Sequence, residues 1–366
     1  MTNDNKPVLY KELKYVHDKL ESEIVAATGW FAGVQSWSDV QAIVRAGLAS
    51  KVFSVGDQLT CQRNGVNLVW DVIGIDHDTP ADSRFTHSLT LQLHDCFPEQ
   101  LQFDSAEAFY YASTEMAAGT YHFTLNGTNY QFTLSSAVPV GGQLMLTYSD
   151  NTPSVISVSA TKGGVAAGSF TVSVGNGGTE ITNFNLISRV RYGSNNYKNS
   201  AIRQWLNSNA AAGSVWTPKT DYDRPPTWAA SAAGFLNGLD EDFLSVVGET
   251  NITFLNPRVD GSNTETLVNR FFLLSRSEVY GGAETENVND GTPYPYYSDN
   301  SDLSSAGSGA DTNRMKYINN TAVPIWLRTP DYGSAQWGRT VSKVNGSITS
   351  DSADKLKGIA PVCNII

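Results

Sequence analysis

FSVGDQLTCQRNGVNLVWDVIGIDHD, residues 53–78, is the stretch that decides the fold class. Its apolar residues alternate or run in short bursts between Gly, Asn and Asp turn signals, which is the pattern of short strands. In its middle, Arg63-Asn64-Gly65-Val66 predicts a hairpin turn, since Asn-Gly readily takes the left-handed backbone that a two-residue turn requires. Downstream, HSLTLQLHDCF (87–97) reads as another strand and FDSAEAFYYASTEM (103–116) as a short helix. Upstream, SWSDVQAIVRAGLA (36–49) reads as a helix with Ser36 or Ser38 as cap, Asp39 in its first turn and Gly47 near its end.

Further out the character of the chain changes twice. Residues 8–27 space Leu9, Leu13, Val16, Leu20, Ile24 and Ala27 close to a heptad seam. An oligomerising or docking helix and an amphipathic helix folded back on its own domain both fit that pattern, because under three heptads make only a marginal coiled coil. Residues 117–182 are almost free of charge and alternate Thr, Val, Phe and Tyr with frequent turn signals, as in an inserted β domain. Beyond 183 the chain is mixed. NSAIRQWLNSNA (199–210) is a helix with Ile202, Trp205 and Leu206 on its apolar face, and LDEDFLSVV (239–247) is a second. FFLLSRSEVYG (271–281) reads as a buried strand, residues 282–313 as a long irregular loop, and 323–366 as three short strands joined by turns.

Composition narrows the function classes. Of 366 residues, 40% are hydrophobic and 11% aromatic, enough for real cores and unlike a disordered chain. The net charge of −11 and the lack of a basic run exclude a nucleic-acid backbone as partner, since phosphate binding needs clustered Lys and Arg. No apolar stretch approaches the ~20 residues of a membrane-spanning helix, and the first residues lack the basic and apolar regions of a signal peptide. Cys61, Cys96 and Cys363 fall in apolar contexts without metal-ligand or CxxC spacing, so buried inert thiols are expected.

NSAIRQWLN, FFLLSRSEVYG, WLRTP, VNGSITSD and GIAPVCNI follow one another in this order. Together they resemble the C-type-lectin-like modules, related in fold to sulfatase-modifying-factor-like proteins, found in bacterial surface proteins and phage virion proteins. The stretch at 53–78 looks like the opening strands of the same module. The resemblance implies a β-rich α+β fold divided into an N-terminal helical docking or oligomerisation segment (1–49), the first part of the lectin-like module (50–116), an inserted all-β, Ig-like sandwich (117–182), and the second part of the module with its ligand-binding loops (183–366). Trp70, Trp205 and Trp326 are expected at its centre.

Chemistry in the sequence is sparse. The sulfatase-modifying enzymes of this fold use a cysteine pair beside a substrate groove, whereas Cys363 here is far in sequence from the other two. No nucleophile, phosphate-loop or zinc-protease motif occurs. Asp76, His77 and Asp78 could face a metal, but a solvated strand end is the plainer reading; Asp299, Asp302 and Asp311 could face calcium, but so could a hydrated acidic loop be all they make. The C-type lectin Glu/Gln-Pro-Asn/Asp tripeptide is absent. Accordingly no catalytic residue, metal or cofactor is expected. Related phage proteins carry their binding face at the C-terminal end of the fold. The resemblance therefore places ligand-binding residues at Arg328, Tyr332, Gln336, Trp337, Arg339, Lys343 and Asn345, with Tyr296 of the PYPYY segment beside them. Trp, Tyr and Arg dominate binding hot spots. The expected role is a virion surface protein, a tail-fibre or receptor-binding component or a capsid decoration or head-fibre protein. It would be a homo-oligomer docked on other virion proteins through its N-terminal segment and binding a host-surface glycan or protein. A capsid-cementing protein or a bacterial surface adhesin are the alternatives.

Overall fold

The computed structural model describes residues 34, 36–105, 110–112, 114–125, 127–149, 152–159, 168–182, 195–217, 225–257, 263–280, 282, 284, 289–298, 312–332 and 337–366. The 8–27 helix, Asp299, Asp302, Asp311 and Gln336 lie outside them. Strand outweighs helix, 38% against 17%, as the alternating pattern requires.

One antiparallel sheet organises the molecule. Gln58–Arg63 and Val66–Ile75 form its first hairpin, closed by Asn64 and Gly65, both left-handed at φ 50° and 76°. Val66–Ile75 then pairs with Leu89–Leu93, which pairs with Val362–Ile365. That last strand also binds Val247–Gly248 and Phe271–Phe272. Strands from both ends of the described chain are thus neighbours, with Thr90 opposite Asn364. The Trp37–Arg45 helix starts at Ser36 through a capping box with Asp39, and Gly47 ends it at φ 70°.

The chain on the two sides of residues 106–194 is brought together at Phe103. Ile202 N–H donates to the Phe103 carbonyl at 3.1 Å, and the Phe103 and Tyr197 rings lie 6.2 Å apart. Between these points the chain builds two four-stranded sheets. Gly168–Thr171, Thr152–Ser159, Gln143–Ser149 and Tyr110–Tyr111 make one; Ser173–Val174, Thr128–Leu134, Gly119–Leu125 and Thr179–Glu180 make the other. Phe123, Phe132, Leu144 and Ile156 are buried there, outside the main core cluster. The described part of 103–116 contains no helix. Tyr110–Tyr111 is instead a strand paired with Gln143–Ser149, so these sheets begin before residue 117. Aromatic side chains favour an extended backbone when a partner strand is at hand.

The main core is aromatic. Trp205, on a helix capped by Ser200, meets Phe235 at 5.2 Å and Phe97 at 5.0 Å; Trp70 meets Phe243 at 5.3 Å; Trp326 meets Phe103 edge-on at 5.5 Å. Each indole N–H has an acceptor inside: the Ala233 carbonyl for Trp205, the Leu101 carbonyl for Trp326, and the Cys61 sulfur for Trp70. Burial of a large ring with its polar atom satisfied is strongly favourable. FFLLSRSEVYG departs from the buried strand expected of it. Only Phe271–Phe272 is strand, and Arg276–Tyr280 turns into a helix. The cause is a capping box: Ser275 N–H donates to Glu278 Oε2 at 2.9 Å and Glu278 N–H to Ser275 Oγ at 3.1 Å. The 323–366 segment supplies a three-stranded sheet (Ile325–Pro330, Trp337–Val341, Ile348–Ser352) and the separate central strand Val362–Ile365.

Trp205→Ala is expected to lower unfolding free energy by ~3–5 kcal/mol, measured by urea denaturation; a loss below ~1 kcal/mol would show that this ring is not central to the core.

Candidate functional site

Arg328, expected on a binding face, lies instead in the interior with 0% exposure. All five of its N–H donors are spent: Nε on the Thr253 carbonyl, Nη1 on the Leu273 carbonyl and Glu278 Oε2, Nη2 on the Asp290 carbonyl and Glu278 Oε1. A guanidinium saturated in this way has nothing to offer a ligand. Burial works against its charge, but the Glu278 carboxylate outweighs that and holds Arg328 above the ordinary guanidinium range. Around the pair, Asp290 accepts from Ser277 and Thr329, and the Arg276 N–H donates to Thr329 Oγ1. The strand position that suggested exposure belongs to a strand buried along its whole length.

The remaining candidates fall into three groups. Trp337 is 43% exposed and shares a strand face with Arg339, while a Cβ on Gly338 between them would come within 3.3 Å of the Trp326 ring. Arg339 is gripped by Glu284, with Nε donating to Oε2 at 2.8 Å and Nη2 to Oε1, and its Nη1 lies 3.1 Å from Asp331. The Glu284 side chain is fully buried; it also accepts the Tyr332 N–H at 3.0 Å. Trp337, Arg339 and Tyr332 therefore stand together on a braced edge. Glu284 and Asp331, which brace it, carried no sequence signal. Lys343 and Asn345 do not join them. They sit in the turn after Val341, at the far end of the strand, roughly 14 Å away at ~3.4 Å per residue. Asn345 Oδ1 accepts the Ser347 N–H there, a turn-forming role. Tyr296 belongs elsewhere again: its hydroxyl donates to Asp71 Oδ2 at 3.4 Å, and burial followed by the Asp71 charge pushes the phenol up to about 12.

The GIDHD segment is a solvated strand end only at Asp76, which is exposed; His77 and Asp78 are largely enclosed. Gly74 leaves space for the Tyr294 ring, which a Cβ there would approach to 3.0 Å. The buried Asp78 accepts from the Tyr294 hydroxyl at 2.8 Å, Asn364 Nδ2 at 2.7 Å and Thr90 Oγ1 at 3.0 Å. His77 stacks on Tyr294 at 4.0 Å, with Nδ1 3.1 Å from Asp78 Oδ1 and Nε2 3.2 Å from the Pro293 carbonyl. Both neighbours are acceptors, so the geometry calls for the doubly protonated ring. Burial opposes this, yet the Asp78 hydrogen bond and charge hold His77 above its usual range. Asp76 turns aside to His87 and the Ser88 N–H. Among the described residues, no group of three or more His, Cys, Asp or Glu converges on a metal position.

Burial raises the Cys61 and Cys96 thiols to about 12 and Cys363 well above the ordinary thiol range. A thiol that resists ionisation is a poor nucleophile. Native protein is expected to leave all three unmodified by an aromatic disulfide reagent at pH 8, and urea to release full labelling; rapid native labelling of Cys363 would contradict the burial. His77 gives a pH signature. Its folded value is raised, so its contribution is fully present below the unfolded value of ~6.5 and is lost as pH rises through the folded value. The stability difference between wild type and His77→Gln is expected to be largest under acidic conditions and to shrink under alkaline ones, read from thermal midpoints across pH.

Comparison with known proteins gives one match. A family model described as "Domain of unknown function (DUF6273)" aligns with residues 177–366. No curated protein and no solved structure matches the chain. The matched stretch holds the Arg328–Glu278 pair, the Trp337 edge and the central strand Val362–Ile365, but not the 58–93 strands against which that strand packs. With more than half of its length matched, the chain belongs to the DUF6273 family, a domain of unknown function.

Proposed function

We propose that this chain is a non-enzymatic recognition protein of a bacteriophage particle, built on a C-type-lectin-like module with an Ig-like sandwich inserted in it. Its braced edge of Trp337, Arg339 and Tyr332 would bind a host-surface glycan or protein. The observation that carries this reading is the grip of Glu284 on that edge. A half-exposed indole stands beside a guanidinium whose direction is fixed by two carboxylates. Preorganised aromatic and Arg side chains bind with little entropic loss. Two further features support it. The groups best suited to covalent chemistry, the three thiols, are buried and hard to ionise. The chain before and after residues 106–194 meets at Phe103 and Ile202, as the ends around an inserted domain do. The virion placement rests on the sequence resemblance, and the segment before residue 34 would supply the docking to other virion proteins and the homo-oligomer.

Added purified protein is expected to block adsorption of particles to host cells, and Trp337→Ala to weaken that block by about thirtyfold, a ~2 kcal/mol hot-spot loss. Cryo-electron microscopy of the particles provides the second check, with ordered copies turning Trp337 outward. If the module is wedged between capsid subunits with Trp337 covered, the protein is a capsid cement and the receptor-binding reading fails.

A further inference from the structure

A second place in the molecule is built for a ligand, and it shares no residue with the Trp337 edge. The first hairpin and the hairpin of Lys316–Ile318 and Thr321–Val323 flank a groove of about 220 Å³. That is below the ~300–1,000 Å³ of pockets that enclose whole small molecules. At ~30 Å³ per water it has the room of about seven waters, which suits one ring and not a chain.

The walls are specific. Lys316 turns inward, so its neighbour Tyr317 turns outward and is 38% exposed at the groove. Val66, 58% exposed, lies on the opposite hairpin. Between them stands His94, whose orientation is imposed from below. Asp71, 1% exposed in the middle of an apolar strand, takes the His94 Nδ1 proton at 2.8 Å and the Gln58 amide at 3.0 Å. Lys316 Nζ lies 3.6 Å from its other oxygen and donates to the Leu93 carbonyl at 3.1 Å. With Nδ1 committed to Asp71, Nε2 is left for a ligand group and has no partner among the described residues. Asn67 accepts from Gln62 through Oδ1 at 3.1 Å, which leaves its amide hydrogens for another acceptor. Asp95 and Asn319 complete the polar lining.

This set of groups discriminates between ligand classes. An anion would meet the Asp95 carboxylate and no surface cation, because the Lys316 ammonium is buried and engaged. A purely apolar ligand would strip water from His94, Asn67 and Asn319 and return no hydrogen bond. Hydroxyl groups both donate and accept, and the C–H face of a sugar ring suits an exposed aromatic wall. We propose that this groove is a second binding site, and that it takes a single pyranose unit of a carbohydrate. The site stands whether or not the Trp337 edge binds a host receptor.

Saturation-transfer NMR of the intact chain with the methyl glycosides of glucose, galactose, mannose and N-acetylglucosamine tests it. Ring protons of at least one glycoside should receive saturation. Tyr317→Ala should abolish the transfer. Asn319→Gly removes the amide while suiting the left-handed turn at φ 49°, and should weaken binding about tenfold. Val344→Ala, at an exposed side chain outside both sites, should leave binding unchanged, and all three variants should keep the wild-type near-ultraviolet circular dichroism. Absence of transfer to all four glycosides overturns the proposal. So does transfer that is as strong in Tyr317→Ala as in the wild-type chain.

Discussion

The buried pair of Arg328 and Glu278 is the interaction around which the second half of the chain is arranged. Five donors on one guanidinium reach four separate stretches of backbone or side chain, at Thr253, Leu273, Glu278 and Asp290. Two charges inside a protein cost several kcal/mol each to desolvate, and the attraction between them offsets this only when the geometry is good and every remaining donor and acceptor is met. Here they are met. The consequence is positional: the strand Ile325–Pro330, the helix Arg276–Tyr280 and the segment around Asp290 can approach only in the one arrangement that satisfies the pair. Glu278 is also the residue that caps its own helix, so one carboxylate fixes both a local turn and a long-range contact.

A second enclosed carboxylate does comparable work just beyond the end of the Val66–Ile75 strand. Asp78 joins Tyr294, Asn364 and Thr90, tying the PYPYY segment to the sheet. Asp71, within that strand, does so through Tyr296 while orienting His94. These two acidic residues thus organise the surface loops from beneath, and Asp71, which holds His94 and Tyr296, is itself buried. Rigid support of this kind is what separates a binding site from an exposed patch.

Local signals in the sequence proved legible where they are self-contained. Asn64-Gly65, the Ser36 cap and Gly47 each specify a backbone conformation within a few residues, and the indoles of Trp70, Trp205 and Trp326 could be placed inside on size alone. Arg328 was misread because a charged side chain near the end of a chain looks exposed, and its five acceptors are distant in sequence. Ser275-Arg276-Ser277-Glu278 was legible in principle as a capping box, but the apolar run before it masked the signal. At 103–116 the helix expectation fails at Tyr110–Tyr111, which pair with a strand over thirty residues later. Glu284 and Asp331 could not be found at all, since nothing local distinguishes a bracing carboxylate from a solvated one. Asp71 was the missed opportunity. A carboxylate flanked by Trp70 and Val72 within an apolar strand must have partners, even if their identity cannot be read.

The place of Val362–Ile365 in the sheet has a consequence for how the molecule is made. Thr90 and Asn364 share a hydrogen bond across 274 positions of sequence. At ~5–20 residues per second, translation separates the two by on the order of tens of seconds. During that interval Leu89–Leu93 holds an apolar strand edge with no neighbour on one side, which is the kind of edge that recruits strands from other chains. The nascent polypeptide is therefore open to misassociation at this edge until residues 362–365 have been made.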